Sequence, residues 1–165
     1  MTDDPVERLL AQWARERPDL DVSPMAVVGR ISRLARRIDL AQRETFARYD
    51  LDPAGFDVLA TLRRSGEPYA LTPGELMRTA MVTSGAITQR LDRLEARGLV
   101  GRGPHPQDGR GVLVTLTAAG RDLVDRVLPD HLATEQGLLA GLPAAERARL
   151  ARLLAAMEAG AQTAP

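Results

Sequence analysis

Apolar residues recur at spacings of three and four along most of the chain: Leu9, Leu10 and Trp13 first, then Val27, Val28, Ile31, Leu34, Ala35 and Ile38. At 3.6 residues per turn such positions share one face, so the spacing predicts two amphipathic helices, over 5–17 and 24–50. Between them lie Pro18, Asp19, Asp21, Ser23 and Pro24, where Ser23 is the expected N-cap and Pro24 a first-turn proline. A third helix is expected from Asp52 to Arg64, with Asp52 as cap, Pro53 at the first position and Phe56, Leu59, Ala60 and Leu62 inward. Asp57 sits among these apolar neighbours, and a carboxylate buried there needs a cationic partner.

The segment Thr72-Pro73-Gly74-Glu75 puts a capping hydroxyl three residues before a glutamate, which predicts a helix start, and the helix is only two turns long. The next helix should begin at Thr83 or Ser84 and run through Ile87, Leu91 and Leu94 to Arg97, with Gly98 as a left-handed C-cap. The period then changes to two. Leu99 and Val100, a Gly, Pro and Asp-rich turn, and Val112, Val114 and Leu116 predict a two-stranded hairpin. Helical spacing returns from Ala118 through Leu128, is expected to break at Pro129, and resumes through Leu132 to a helix from Ala144 to Met157, with Ala159 to Pro165 frayed. The fold class is therefore mainly α with a small β-hairpin wing: a winged helix-turn-helix over 52–118.

The 165 residues suit a single domain, and 44% hydrophobic with 27% charged residues is the balance of a folded soluble protein. No apolar run approaches a membrane helix and the first residues carry no signal sequence, so the expected location is cytoplasmic, with no membrane partner. The absence of cysteine excludes disulfides, thiolate zinc sites and thiol redox switches. Net charge is zero, so any nucleic-acid binding must be local; all 22 cationic side chains are arginine, which a GC-rich genome also explains.

A helix entering the major groove needs small or polar residues on its leading and outward side. Thr83, Ser84, Thr88 and Gln89 are candidate base-edge or phosphate donors, with Arg93 and Arg97 farther along. An ordinary capped surface helix would look the same, and the hairpin decides between them. From Arg90 to Arg110 there are five arginines against three acids, Asp92, Glu95 and Asp108, around a flexible tip suited to a minor groove.

The runs Asp108-Gly-Arg110 and Leu116-Thr-Ala-Ala-Gly120, with Leu91-Asp-Arg-Leu-Glu-Ala-Arg-Gly98-Leu-Val100, resemble the wing and recognition helix of the MarR family of repressors. That resemblance implies a homodimer joined by the terminal helices (24–50 and 121–160), bound to a pseudo-palindromic double-stranded operator. It implies a wing held by Asp108, with Arg110 inserted in a minor groove. MarR-type repressors that respond to urate carry an extra N-terminal helix with a tryptophan, an aspartate before the helix-turn-helix, an arginine in the recognition helix and another at the wing's start. Trp13, Asp57, Arg90 and Arg102 match these positions. The resemblance then implies that Trp13 and Arg90 contact urate, while the anion repels Asp57 and loosens its pairing with Arg102. A planar anion suits an indole N–H and an arginine fork. Read without the resemblance, Trp13 could be a core aromatic and Arg90 part of a solvated face.

The effector is thus expected to be a small anion, urate first, with a citrate- or aconitate-like polycarboxylate or a phenolic compound as the alternative; no cofactor or metal is expected. Only His105 and His131 are present, with no nucleophile and base arrangement and no phosphate loop, so an enzyme is not expected. A helix-only interaction module would not need an arginine-bearing wing.

Overall fold

The computed structural model describes residues 4–80, 87–105 and 111–162. They form two compact units, Met1–Pro53 and Ala54–Pro165.

Unit 1 is a pair of helices, α1 (Pro5–Glu16) and α2 (Pro24–Ala47). The Asp4 side chain caps α1 by accepting the Val6 N–H at 2.9 Å. That bond, followed by the Arg30 ion pair at 2.6 Å, holds the Asp4 carboxyl below its usual range. Arg30 of α2 also pairs with Glu7, so one guanidinium ties the first turn of α1 to α2. Val6, buried, packs near Gly29 of α2. Ser23 does not cap α2: it already has helical backbone angles (φ −55°, ψ −34°), and its N–H and hydroxyl instead donate to the Asp21 carboxylate.

Unit 2 begins at the second residue of α3 (Pro53–Arg64), whose Val58, Leu59 and Leu62 are fully buried. Strand β1 (Ala70–Leu71) precedes α4 (Pro73–Thr79), and α5 (Ile87–Ala96) leads into β2 (Val100–Pro104) and β3 (Val112–Leu116). The reciprocal cap expected at Thr72 and Glu75 is present on α4. The Thr72 backbone N–H, 2.8 Å from Glu75 Oε2, is the main reason that carboxyl lies below its usual range. Gly98 takes φ +68°, as a left-handed C-cap requires.

The wing is a three-stranded antiparallel sheet of order β1-β3-β2 rather than a two-stranded hairpin. Ala70 lies opposite Thr115 and Leu71 opposite Val114, while Arg102 opposes Val114 from the other side. A two-residue strand shows no periodicity of its own; its pairing with β3 makes it a strand. Tyr69, just before β1, has Arg63 over its ring at 5.2 Å, and Arg63 also pairs with Asp125 at 2.9 Å.

The helix α6 (Ala118–Leu138) continues through Pro129, where a break was expected. Proline removes one backbone bond there, and the apolar stripe of Leu123, Val124, Val127, Leu128 and Leu132 runs on past it in phase. The last helix, α7 (Ala144–Gln162), extends five residues beyond Met157 into the segment expected to fray.

Candidate functional site

The helix α5 has two faces. Ile87, Leu91 and Leu94 are buried, whereas Thr88, Gln89 and Arg93 are exposed, as is Arg97 just beyond its end. These exposed residues are the four candidate nucleic-acid contacts that the structure describes. The other four, Thr83, Ser84, Asp108 and Arg110, lie outside the described residues.

Arg90 borders the buried stripe, one residue from Leu91. Its Nε and Nη1 are shielded from solvent and have no hydrogen-bond acceptor. It therefore does not lie on a plain solvated face. Shielded N–H groups without an acceptor are unfavourable, and an entering anion would supply the missing acceptor.

Arg102, at the start of the wing, is held by α5. Its Nη1 lies 2.7 Å from Asp92 and 3.5 Å from Glu95, its Nη2 donates to the Thr88 carbonyl at 3.3 Å, and its backbone N–H donates to Glu95 at 3.1 Å. Positions 88, 92 and 95 form one stripe of the helix. Among the described residues Arg102 thus has Asp92, Glu95 and Thr88 as partners, whereas the subfamily resemblance implies Asp57. Asp57 is largely buried, with 15% of its side chain exposed, and has Arg64 Nη1 at 3.9 Å. Asp92, Glu95 and Arg64 were not singled out from sequence; the stripe of Thr88, Asp92 and Glu95 was the available signal for the first two.

Trp13 belongs to unit 1 and the other three candidate effector residues to unit 2. Trp13 is 42% exposed and its neighbour one turn back, Leu9, is 41% exposed, so Trp13 is not a core aromatic of the single chain. Among the described residues no group of three or more His, Cys, Asp or Glu could hold a metal, and no helix is long and apolar enough to cross a membrane.

The sequence profile of the MarR family matches residues 49–111, from before α3 to the wing. The HTH-type transcriptional regulator PecS of Dickeya dadantii strain 3937 is 41% identical over 153 residues, 93% of this chain and 92% of PecS. Bordetella bronchiseptica BpsR, solved to explain regulation of its DNA binding by 6-hydroxynicotinic acid, superposes with a TM-score of 0.73. That match has 31% identity over 80% of this chain and 92% of BpsR. A mutant Escherichia coli MarR complexed with operator DNA superposes with a TM-score of 0.72 at 33% identity, over 84% of this chain and 99% of that one. These relatives are regulators and not enzymes, and with PecS matched along nearly its whole length, the chain belongs to the MarR family of transcription regulators.

Proposed function

We propose that this chain is a cytoplasmic, homodimeric repressor that binds a pseudo-palindromic operator and is released from it by a small planar anion, most specifically urate. The observation that carries the effector half is Arg90 on α5, two of whose guanidinium nitrogens, Nε and Nη1, are shielded from solvent without an acceptor. Thr88, Gln89, Arg93 and Arg97 on the exposed side, with Thr83 and Ser84 ahead of them, read base edges and phosphates. Arg110 enters the minor groove from a wing held by Asp108. Arg90 and Trp13 contact the anion, while Asp57 and Arg102 respond to its charge.

Arg102 changes how release works. An anion beside Arg90 acts on the helix that bears Asp92 and Glu95, and any shift of that helix reaches the wing through Arg102. BpsR, whose DNA binding is regulated by 6-hydroxynicotinic acid, favours a flat nitrogen heteroaromatic anion over an aliphatic polycarboxylate or a phenol. Dimerisation is supported by α7: Leu153, Leu154 and Met157 are 59%, 44% and 44% exposed, and none of its described residues is buried. A helix with such a face needs a partner, and in this family the partner is a second copy.

The test is operator binding by the full chain, on a duplex from its own upstream region with half-sites about one helical turn apart. Urate should weaken the complex, and Trp13→Phe and Arg90→Ala should blunt that response while leaving DNA binding measurable. A mobility shift unchanged by millimolar urate rejects the effector. A footprint confined to one half-site rejects the dimeric mode.

A further inference from the structure

Asp57, Thr61 and Arg64 lie at positions i, i+4 and i+7 of α3, on one stripe. The stripe is polar in a helix whose other faces are mostly buried and apolar. Thr61 is 1% exposed and its hydroxyl has no hydrogen-bond partner. At the end of the stripe the Arg64 guanidinium splits. Nη1 faces Asp57 at 3.9 Å, and Nη2 donates to the Thr79 carbonyl at 2.6 Å.

Thr79 is the last residue of α4, where helix carbonyls lack intrahelical donors and the dipole is negative. Arg64 therefore satisfies one of those carbonyls while facing the carboxylate proposed above as an effector-responsive group. From Thr79 the chain continues through residues 80–86 to α5. The end of α4 thus fixes where the path to the recognition helix begins.

We infer that Arg64 is a positioning residue, coupling the charge at Asp57 to the C-terminal end of α4 and through it to the start of the recognition helix. Its role in effector response rests on the proposed function, but the coupling itself does not. With Asp57 ionised, the guanidinium is held from both sides. When Asp57 is neutralised or displaced, Arg64 keeps one anchor only, and the last turn of α4 loosens.

The test is amide hydrogen exchange on the full-length chain without ligand or DNA, read at Ala80, whose N–H bonds to the Leu76 carbonyl at 2.8 Å. Arg64→Gln should speed exchange there about fivefold, the scale of one partly exposed charge contact. Asp57→Asn should speed it in the same direction, and the double variant should exchange no faster than Arg64→Gln alone. Arg64→Lys, which retains a charge and a donor, should recover most of the protection. A wild-type rate in Asp57→Asn, or effects that multiply in the double variant, overturns the coupling.

The effector arm is separate. If urate releases wild-type protein from operator, Arg64→Gln should lower the ratio of operator Kd with and without urate, with urate affinity by thermal shift unchanged within about twofold. A wild-type protein indifferent to urate rejects the effector reading while the exchange pattern still decides the coupling.

Discussion

Gly120 ends the Leu116-to-Gly120 run at the wing's exit, and the structure shows why no larger residue fits there. A Cβ built on it would lie 2.0 Å from the Leu99 carbonyl oxygen and 2.8 Å from Leu116 Cδ1. That carbonyl accepts from the Thr117 N–H and the Thr117 hydroxyl, both at 3.1 Å, so it is pinned between the end of α5 and the start of α6. Gly120→Ala would force it back by more than an ångström. Overpacking of this kind costs about 1–3 kcal/mol, and disturbing two hydrogen bonds adds about 1 kcal/mol each. Helix propensity returns at most about 1 kcal/mol when alanine replaces glycine. Strain wins: a net loss of about 3 kcal/mol lowers Tm by about 6–12 °C for a chain of this size.

Gly137 supplies the control, because it lies in the same helix and a Cβ added there would meet nothing within 4 Å. Gly137→Ala should raise Tm by about 1–3 °C from propensity alone. The assay is thermal unfolding followed by circular dichroism, all variants at one protein concentration because dimerisation makes Tm concentration-dependent. A Gly120→Ala protein melting at or above wild type, with Gly137→Ala stabilised as expected, would refute the steric argument.

Arg102→Ala should weaken operator binding about tenfold while lowering Tm by less than about 3 °C, since pairs with half-exposed carboxylates contribute little to stability; an equal loss of binding in Arg43→Ala, paired with Asp39 on α2, would remove the specific role of the wing contact. Acidification should destabilise the protein. Asp4, Asp19, Asp21 and Glu75 are all held below their usual range, chiefly by the Val6 N–H, Arg17, the Ser23 N–H and the Thr72 N–H respectively. Groups lowered on folding stabilise fully above the unfolded carboxylate pKa of about 4, and that stability is lost as pH falls through their lower folded values. Melts from neutral pH to about pH 3 should show a flat Tm and then a fall; a Tm that rises below about pH 5 contradicts the assignment.

The elements that spacing foretold are those whose determinants are local. The Thr72 and Glu75 cap, the Gly98 turn and the alternation of Val112, Val114 and Leu116 each need only near neighbours in the chain. What escaped was set by distant partners. Ala70 and Leu71 are a strand only because Thr115 and Val114 lie opposite, and Pro129 is carried inside α6 because the apolar stripe continues on both sides of it. Ser23 and Asp4 show the limit of capping signals. Both precede a proline, yet only Asp4 caps, because the chain at Ser23 has already turned helical. At the candidate site, the family resemblance pointed to Arg90 and Arg102, but not to the orphaned guanidinium nitrogens of the first or to the carboxylates that hold the second. Burial and pairing are properties of the assembled chain.

The attachment of Arg102 along α5 also bears on how this regulator can diverge. Its three acceptor residues span two turns, about 10 Å of helix, so strand β2 and the recognition helix share one orientation. A substitution that tilts the helix to favour a new base will re-aim the wing in the same step. Changes in operator preference should therefore arise in linked pairs, one on the helix and one on the wing, and lineages that loosen Asp92 or Glu95 would be the ones free to alter the two separately.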